Sequence, residues 1–503
     1  MRTRPLVLVL ALLISATLLA VPGGTAAAET CDPDDPNAGA LGVGDEYYPR
    51  YGNGGYDVQH YDLRIRFRPK TDEIRGVATI DAVATQDLSC FSLDLVGLEV
   101  TEVTVDGVAA LWARLDDELV ITPAALLPSG APFTVRVAYR GVPITFIDIW
   151  GTQGGFVPTK DGALTFGEPE GASMWFPVND HPVDRATYTF HTTVPAGYRV
   201  VANGIRESVT IDGRWKTHTW QATDPMISYC VTMDIGDFDL RFSETASGLP
   251  VIDAVDPDLD GAADASLARQ PEIIGFLEGF LGPYPFASAG AIAPASRKLQ
   301  YSLETQTRPI YTRYVWGRWA DYTVVHEIAH QWLGDLVAIE RWQHIWLNEG
   351  FASYAEWLWD EHEGGLTPAE ALVATWEAIP ADDDFWTLEI GDPGVPSLFD
   401  SPVYVRGAMT LQALRNTVGD EGFWAIVHEW LATNANATGT TAELVTIAEA
   451  VSGRELSELF DAWLFSPTKP PESALGTSVA PARPAVAERA AAWVRGVEQR
   501  YGG

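Results

Sequence analysis

The hydrophobic period of this chain changes once along its length, and that change limits the folds open to it. Over residues 61–68 the sequence runs Tyr, Asp, Leu, Arg, Ile, Arg, Phe, Arg, which places apolar and charged side chains on opposite faces of an extended chain. The alternation returns at 133–139 and 188–194, with the turn pairs Asp106-Gly107 and Asp212-Gly213 between such runs. Half-buried strands separated by tight turns predict an antiparallel β-sandwich over about 45–245, in a domain taken as 29–245. Beyond about residue 265 the period becomes helical, with helices expected at 271–281, 322–337, 352–359 and 407–414. The fold class is therefore multidomain α+β, a β-sandwich followed by a mostly helical domain at 246–467. After Phe465 the composition turns to Pro, Ala and Ser, so 468–503 reads as a tail carrying a weak terminal helix at 487–494.

The 503 residues hold 33 Lys plus Arg against 68 Asp plus Glu, a net charge of -35. Binding to nucleic acid or anionic lipid needs a basic face, and this composition supplies none. Arg2 and Arg4 precede an apolar run from Leu6 to Val21 and then Ala26-Ala27-Ala28, the pattern of a secretory signal peptide over residues 1–28. No later apolar stretch is long enough to anchor the mature chain in a membrane, so a secreted, extracellular protein is expected, and a monomer is sufficient. Of the three cysteines, Cys230 sits in the apolar run Met226-Ile227-Ser228-Tyr229-Cys230-Val231, read as a buried strand. That leaves Cys31 and Cys90 as the expected disulfide in an oxidising compartment.

The chemistry is concentrated in Val325-His326-Glu327-Ile328-Ala329-His330. Within a helix, the i, i+4 spacing stacks both imidazoles on one face, where two nitrogens can reach one metal ion. Glu349, in Leu347-Asn348-Glu349-Gly350-Phe351, would complete a His2Glu set near the start of another helix. Three protein ligands leave a fourth zinc position open, as catalysis requires. Glu327 is turned about 100° from the line of the two histidines and is placed to move protons rather than bind metal.

These residues, with His330-Gln331-Trp332-Leu333-Gly334-Asp335 and Trp346-Leu347-Asn348-Glu349-Gly350-Phe351, resemble the gluzincin aminopeptidases, the family of aminopeptidase N and the leukotriene hydrolase. The resemblance spans about 45–467. It implies a thermolysin-like zinc peptidase domain, one Zn2+ per chain held by His326, His330 and Glu349, and peptide substrates with a free N-terminus. The family's Gly-x-Met-Glu-Asn motif stands here as Tyr301-Ser302-Leu303-Glu304-Thr305, so Glu304 keeps the carboxylate that would pair with the substrate ammonium while its neighbours are changed. Glu168 matches a second amine-binding position, with Glu170 close enough to compete for the assignment. Tyr404, in Val403-Tyr404-Val405-Arg406-Gly407-Ala408, is similar to the family tyrosine that donates to the oxyanion, a task suited to a phenol that stays protonated near neutrality.

Asp335 and Glu356 are candidates to accept the outer N–H of the metal-binding imidazoles. Trp332, Trp342 and Trp346 are expected in the core. The resemblance also implies a more open site, because the long helical C-terminal domain of larger members is not found in these residues. The reading is a zinc aminopeptidase. Its rivals are a zinc endopeptidase, suggested by the altered exopeptidase motif, and a non-catalytic peptide-binding module, which the retention of all three ligands and Glu327 argues against.

Overall fold

The computed structural model describes residues 31, 32, 34–317, 319–476, 493, 495 and 496. The expected signal peptide at 1–28 lies outside the described residues, as does most of the helix expected at 487–494.

The first half is organised on an eight-stranded sheet. In its strand Tyr56–Arg68 the sequence alternation becomes alternating burial, with Leu63, Ile65 and Phe67 inward and Arg64 and Arg66 outward. A bulge between Val58 and His60 puts Val58 and Tyr61 on the same buried face despite their odd spacing. Phe67 meets Phe156 and Tyr56 meets Phe91, each with ring centroids 5.6 Å apart. The buried face is thus covered by a five-stranded and a three-stranded sheet, a sandwich as expected.

One pairing departs from the antiparallel expectation. Tyr56–Arg68 runs antiparallel to Glu73–Ala84 but parallel to Arg185–Pro195. Strands joined by a tight turn must be antiparallel, whereas a strand returning after a long excursion can take either direction. The Cys31–Cys90 disulfide forms. Cys230 is free and buried, though it lies in a single 3-10 turn, Ser228–Cys230, rather than in a strand.

The second half opens on a sheet of Asp239–Glu244, Pro250–Val255 and Ala289–Ala293. Among the described residues six helices of ten or more residues follow or cross it: α1 (Gln270–Leu281), α2 (Ala320–Ala329), α3 (Trp346–His362), α4 (Pro368–Ala378), α5 (Ser401–Asn434, kinked at Gly419) and α6 (Thr441–Ser452). Helix α1 is the crossover between the parallel strands Pro250–Val255 and Ala289–Ala293.

Helix α2 ends at Ala329, with His330 as its C-cap, and does not run to Val337 as the apolar pattern predicts. Gly334 adopts φ +138° and the chain enters the strand Val337–Ile339, paired with Ala437–Gly439. Helix α3 is longer than predicted at both ends because it is buried nearly all round, which removes the polar edge that periodicity detects. Residues 468–476, read from composition as tail, are packed. Trp376 and Trp463 donate their indole N–H to the carbonyls of Pro470 and Ala474 at 2.9 Å, and Leu475 is buried.

Helices α3 and α5 cross where neither has a side chain. A Cβ on Gly407 would lie 2.6 Å from the Cα of Gly350, and one on Gly350 2.9 Å from the Cα of Gly407. Glu349 adjoins this point on α3, and Tyr404 lies about one turn before it on α5. Arg406, fully buried beside it, donates to the carbonyls of Trp386, Leu388, Ala462 and Ser466 at 3.1, 2.9, 3.2 and 2.7 Å. Burial brings its pKa down to about 10, which leaves the guanidinium charged near neutrality. Gly407→Ala is expected to force the helices apart and destabilise the protein by about 1–3 kcal/mol. A thermal melt would show a lower midpoint, with turnover reduced through the displaced Tyr404.

Candidate active site

His326 and His330 sit one turn apart at the C-terminal end of α2, with ring centroids 4.7 Å apart. Their Nε2 atoms lie 3.1 and 3.5 Å from Oε2 of Glu349 on α3. All three residues are buried, and their donor atoms fall within 4.8 Å of one another. The far side of each imidazole is committed: Nδ1 of His326 donates to Oε1 of Glu356 at 2.9 Å, and Nδ1 of His330 to the carbonyl of Leu333 at 3.1 Å. Those acceptors fix the tautomers and aim both Nε2 lone pairs at the space beside Glu349.

Glu356 therefore has the expected orienting contact, and Asp335 does not. The Asp335 carboxylate accepts instead from Cys230 Sγ at 3.1 Å and Gln331 Nε2 at 2.7 Å. The turn after α2 supplies a backbone carbonyl to His330 before any side chain can reach it.

Burial favours neutral imidazoles, but the surrounding carboxylates outweigh it. His326 is raised by Glu349 and Glu356, and His330 is raised well above its ordinary value by Glu304 and Glu349. Glu349, though buried, is drawn down to about 2 by the two histidines. A dication is the alternative to those protons, satisfying the same three atoms with its own charge. Two imidazole nitrogens and one carboxylate, buried, convergent and braced from behind, fit zinc.

Glu327 faces the same cavity, and its Oε1 has no hydrogen-bond partner. Burial lifts its pKa to about 8 against the opposing pull of the histidines. Tyr404 lies over His326 with ring centroids 6.0 Å apart and also lines the cavity.

Glu304 and Glu168 complete the wall. Oε1 of Glu304 accepts from the Tyr229 hydroxyl at 2.7 Å, and its backbone carbonyl accepts from Gln331 Nε2 at 2.9 Å. The Glu304 segment is a tight hairpin closed by reciprocal backbone bonds between Leu303 and Ile310. Glu168 is half-buried, with its Oε1 enclosed and unpartnered. Burial and the nearby Glu304 raise its pKa well above the carboxylate range. Glu170 is not among the residues lining the cavity and turns toward Tyr51, so of the two carboxylates it is Glu168 that faces the metal set. The structure thus brings His326, His330, Glu349, Glu327, Tyr404, Glu304 and Glu168 to one place. Trp332, Trp342 and Trp346 lie in the core.

The sequence reading missed Tyr229 and Gln331, which hold Glu304, and Trp150, Tyr301 and Phe399, which wall the cavity. Gln331 follows the second histidine directly and was therefore in view. Its target, a backbone carbonyl in a distant hairpin, leaves no trace in spacing.

Comparison with known proteins places the chain in a family. The profile of the peptidase M1 N-terminal domain matches residues 57–230, and that of the peptidase family M1 domain matches 317–463. The crystal structure of an M1 zinc metallopeptidase from Deinococcus radiodurans is 30% identical, superposes with a TM-score of 0.79, and covers 87% of this chain and 100% of its own. The chain belongs to peptidase family M1. Among curated relatives, glutamyl aminopeptidase of Sus scrofa is 25% identical over 60% of this chain and 34% of its own length. Aminopeptidase M1 of Arabidopsis thaliana is 26% identical over 80% and 50%. The chain thus spans between a third and a half of the length of those two relatives.

The M1 membership bears out the family resemblance and the two-part α+β fold, and it supplies zinc as the metal for which the His326, His330 and Glu349 set is suited. Metal analysis is expected to return about one zinc per chain. Glu349→Ala should lower that content on dialysis, because two imidazoles alone make a poor site.

Proposed function

We propose that this protein is a secreted zinc aminopeptidase that removes the N-terminal residue from peptides. The observation that carries the reading is the pairing of a His2Glu metal set with two further carboxylates, the buried Glu304 and the half-buried Glu168, on one cavity wall. Two such groups suit one α-ammonium and serve no purpose for an internal peptide bond. The histidine ligands apart, no basic side chain is among the described residues lining the cavity, so the amine of a substrate is the natural counter-charge.

When bound, zinc supplies Lewis acidity and makes water a nucleophile near neutral pH. Glu304 and Glu168 hold the substrate ammonium and so fix the first peptide bond in register. Glu327 takes the proton released as water attacks and passes it to the departing amine. The Tyr404 hydroxyl donates to the oxygen of the scissile carbonyl as negative charge develops there. Support also comes from a mutant M1 zinc metallopeptidase of Deinococcus radiodurans, solved bound to a Tyr-Ser-Ala substrate, which is 29% identical to this chain with a TM-score of 0.79.

Secretion is supported by the Arg2, Arg4 and apolar leader pattern and by the Cys31–Cys90 disulfide, a bond that persists in oxidising compartments. Among the described residues no helix is long and apolar enough to cross a membrane.

Aminoacyl fluorogenic peptides with free and acetylated N-termini, assayed with and without a chelator, test the activity. Cleavage restricted to free amines and abolished by chelation is the expected result. Equal rates on acetylated peptides would instead select a zinc endopeptidase. Tyr404→Phe is expected to keep its zinc and lower kcat by about 10²–10³ with KM little changed. Steady-state kinetics would assign Tyr404 to packing if kcat stayed near that of the parent.

A further inference from the structure

Glu356 is completely buried on α3, where a carboxylate needs donors for both oxygens. Oε1 takes the Nδ1–H of His326 at 2.9 Å. Oε2 takes the indole N–H of Trp493 at 3.3 Å. Trp493 belongs to the last part of the chain, outside both M1 profile matches. It is only 7% exposed, and its ring stands edge-on to that of Trp357, the neighbour of Glu356 on α3, at 5.3 Å and 68°. The contact therefore has two separable parts, an apolar seat on Trp357 and a directed hydrogen bond to Glu356.

We propose that Trp493 is a positioning residue for the metal centre, acting through Glu356 on His326. Each donor that a buried carboxylate accepts narrows its side-chain torsions and those of the imidazole it orients. The Trp493 N–H adds such a donor at the second oxygen and helps hold the Nε2 lone pair of His326 on the point it shares with His330 and Glu349. Outer partners of metal-binding histidines set metal affinity by about 10–100-fold. A group one bond further out should act in the same direction with smaller effect. Trp493 would thus tune how long the protein retains its metal, acting through Glu356 and His326. The inference rests on the reading of His326 as a zinc ligand.

The test is the rate of zinc release from the full-length holoenzyme to a chromophoric chelator, measured for the parent, Trp493→Phe, Glu356→Gln and the double variant. Phe keeps a ring against Trp357 and removes only the N–H. Trp493→Phe is expected to release zinc about three- to tenfold faster, with a thermal midpoint close to the parent and no additional effect once Glu356 is Gln. A second variant, Trp493→Leu, covers the case in which the Phe ring fails to pack. An unchanged release rate in a folded variant would overturn the proposal, as would an equal acceleration in the Glu356→Gln background. Failure of both variants to fold would make Trp493 a plain core residue and overturn it too. A parent protein that holds no zinc would instead sink the metal reading itself.

Discussion

The site depends on two helices that touch backbone to backbone. The metal set and the proposed oxyanion donor come from three separate elements: the histidines from α2, Glu349 from α3 and Tyr404 from α5. Such groups act together only if the helices carrying them approach more closely than side chains normally permit. Gly350 and Gly407 remove the obstacle from both sides of one crossing. Arg406, next to Gly407, then fastens α5 to four carbonyls drawn from chain segments before and after it. The contact has no chemistry of its own, yet it decides whether the chemical groups meet.

A second constraint is electrostatic. Glu168, Glu304, Glu327 and Glu349 share one cavity with two imidazoles as the basic groups, in a place too enclosed for water to screen them fully. Burial first, and then their mutual repulsion, raises Glu168 and Glu327, while Glu349 keeps its charge because the histidines stand against it. One fold thus sorts four chemically identical side chains into different roles by what each of them faces. Tyr229 and Gln331 hold Glu304, and Glu356 holds His326, so the sorting is built from ordinary hydrogen bonds at its margin.

Much of this was legible in the sequence because it depends on local spacing. The i, i+4 histidines, the offset Glu327 and the alternating strands are all consequences of helix or strand period, and each lies where the period puts it. Glu349 could be named because the family string fixes its distance from His330. What was not legible depends on long-range geometry. The parallel pairing of Tyr56–Arg68 with Arg185–Pro195 leaves no local mark. The early stop of α2 follows from Gly334 and a strand pairing with Ala437–Gly439, and it hands His330 to the carbonyl of Leu333 in place of Asp335. Glu168 and Glu170 are separated by one residue and by nothing in composition, and only the fold turns one into the cavity. The Pro and Ala content of the tail hides a tryptophan that reaches the back of the metal centre.

The parallel pair also sets an order on assembly. Tyr56–Arg68 lies in the interior of the large sheet, with Glu73–Ala84 on one side and Arg185–Pro195 on the other, and His60 sits opposite Thr187. The hairpin with Glu73–Ala84 can form as soon as those residues exist, since its closure is local. The other edge of the same strand has no partner until Pro195 is available, so a growing chain carries an open, apolar strand edge through more than a hundred further residues of synthesis. Completion of the first domain is therefore a late event: Arg185–Pro195 must return to cover that edge before Trp215–Ile227 and Ile205–Asp212 can extend the sheet outside it.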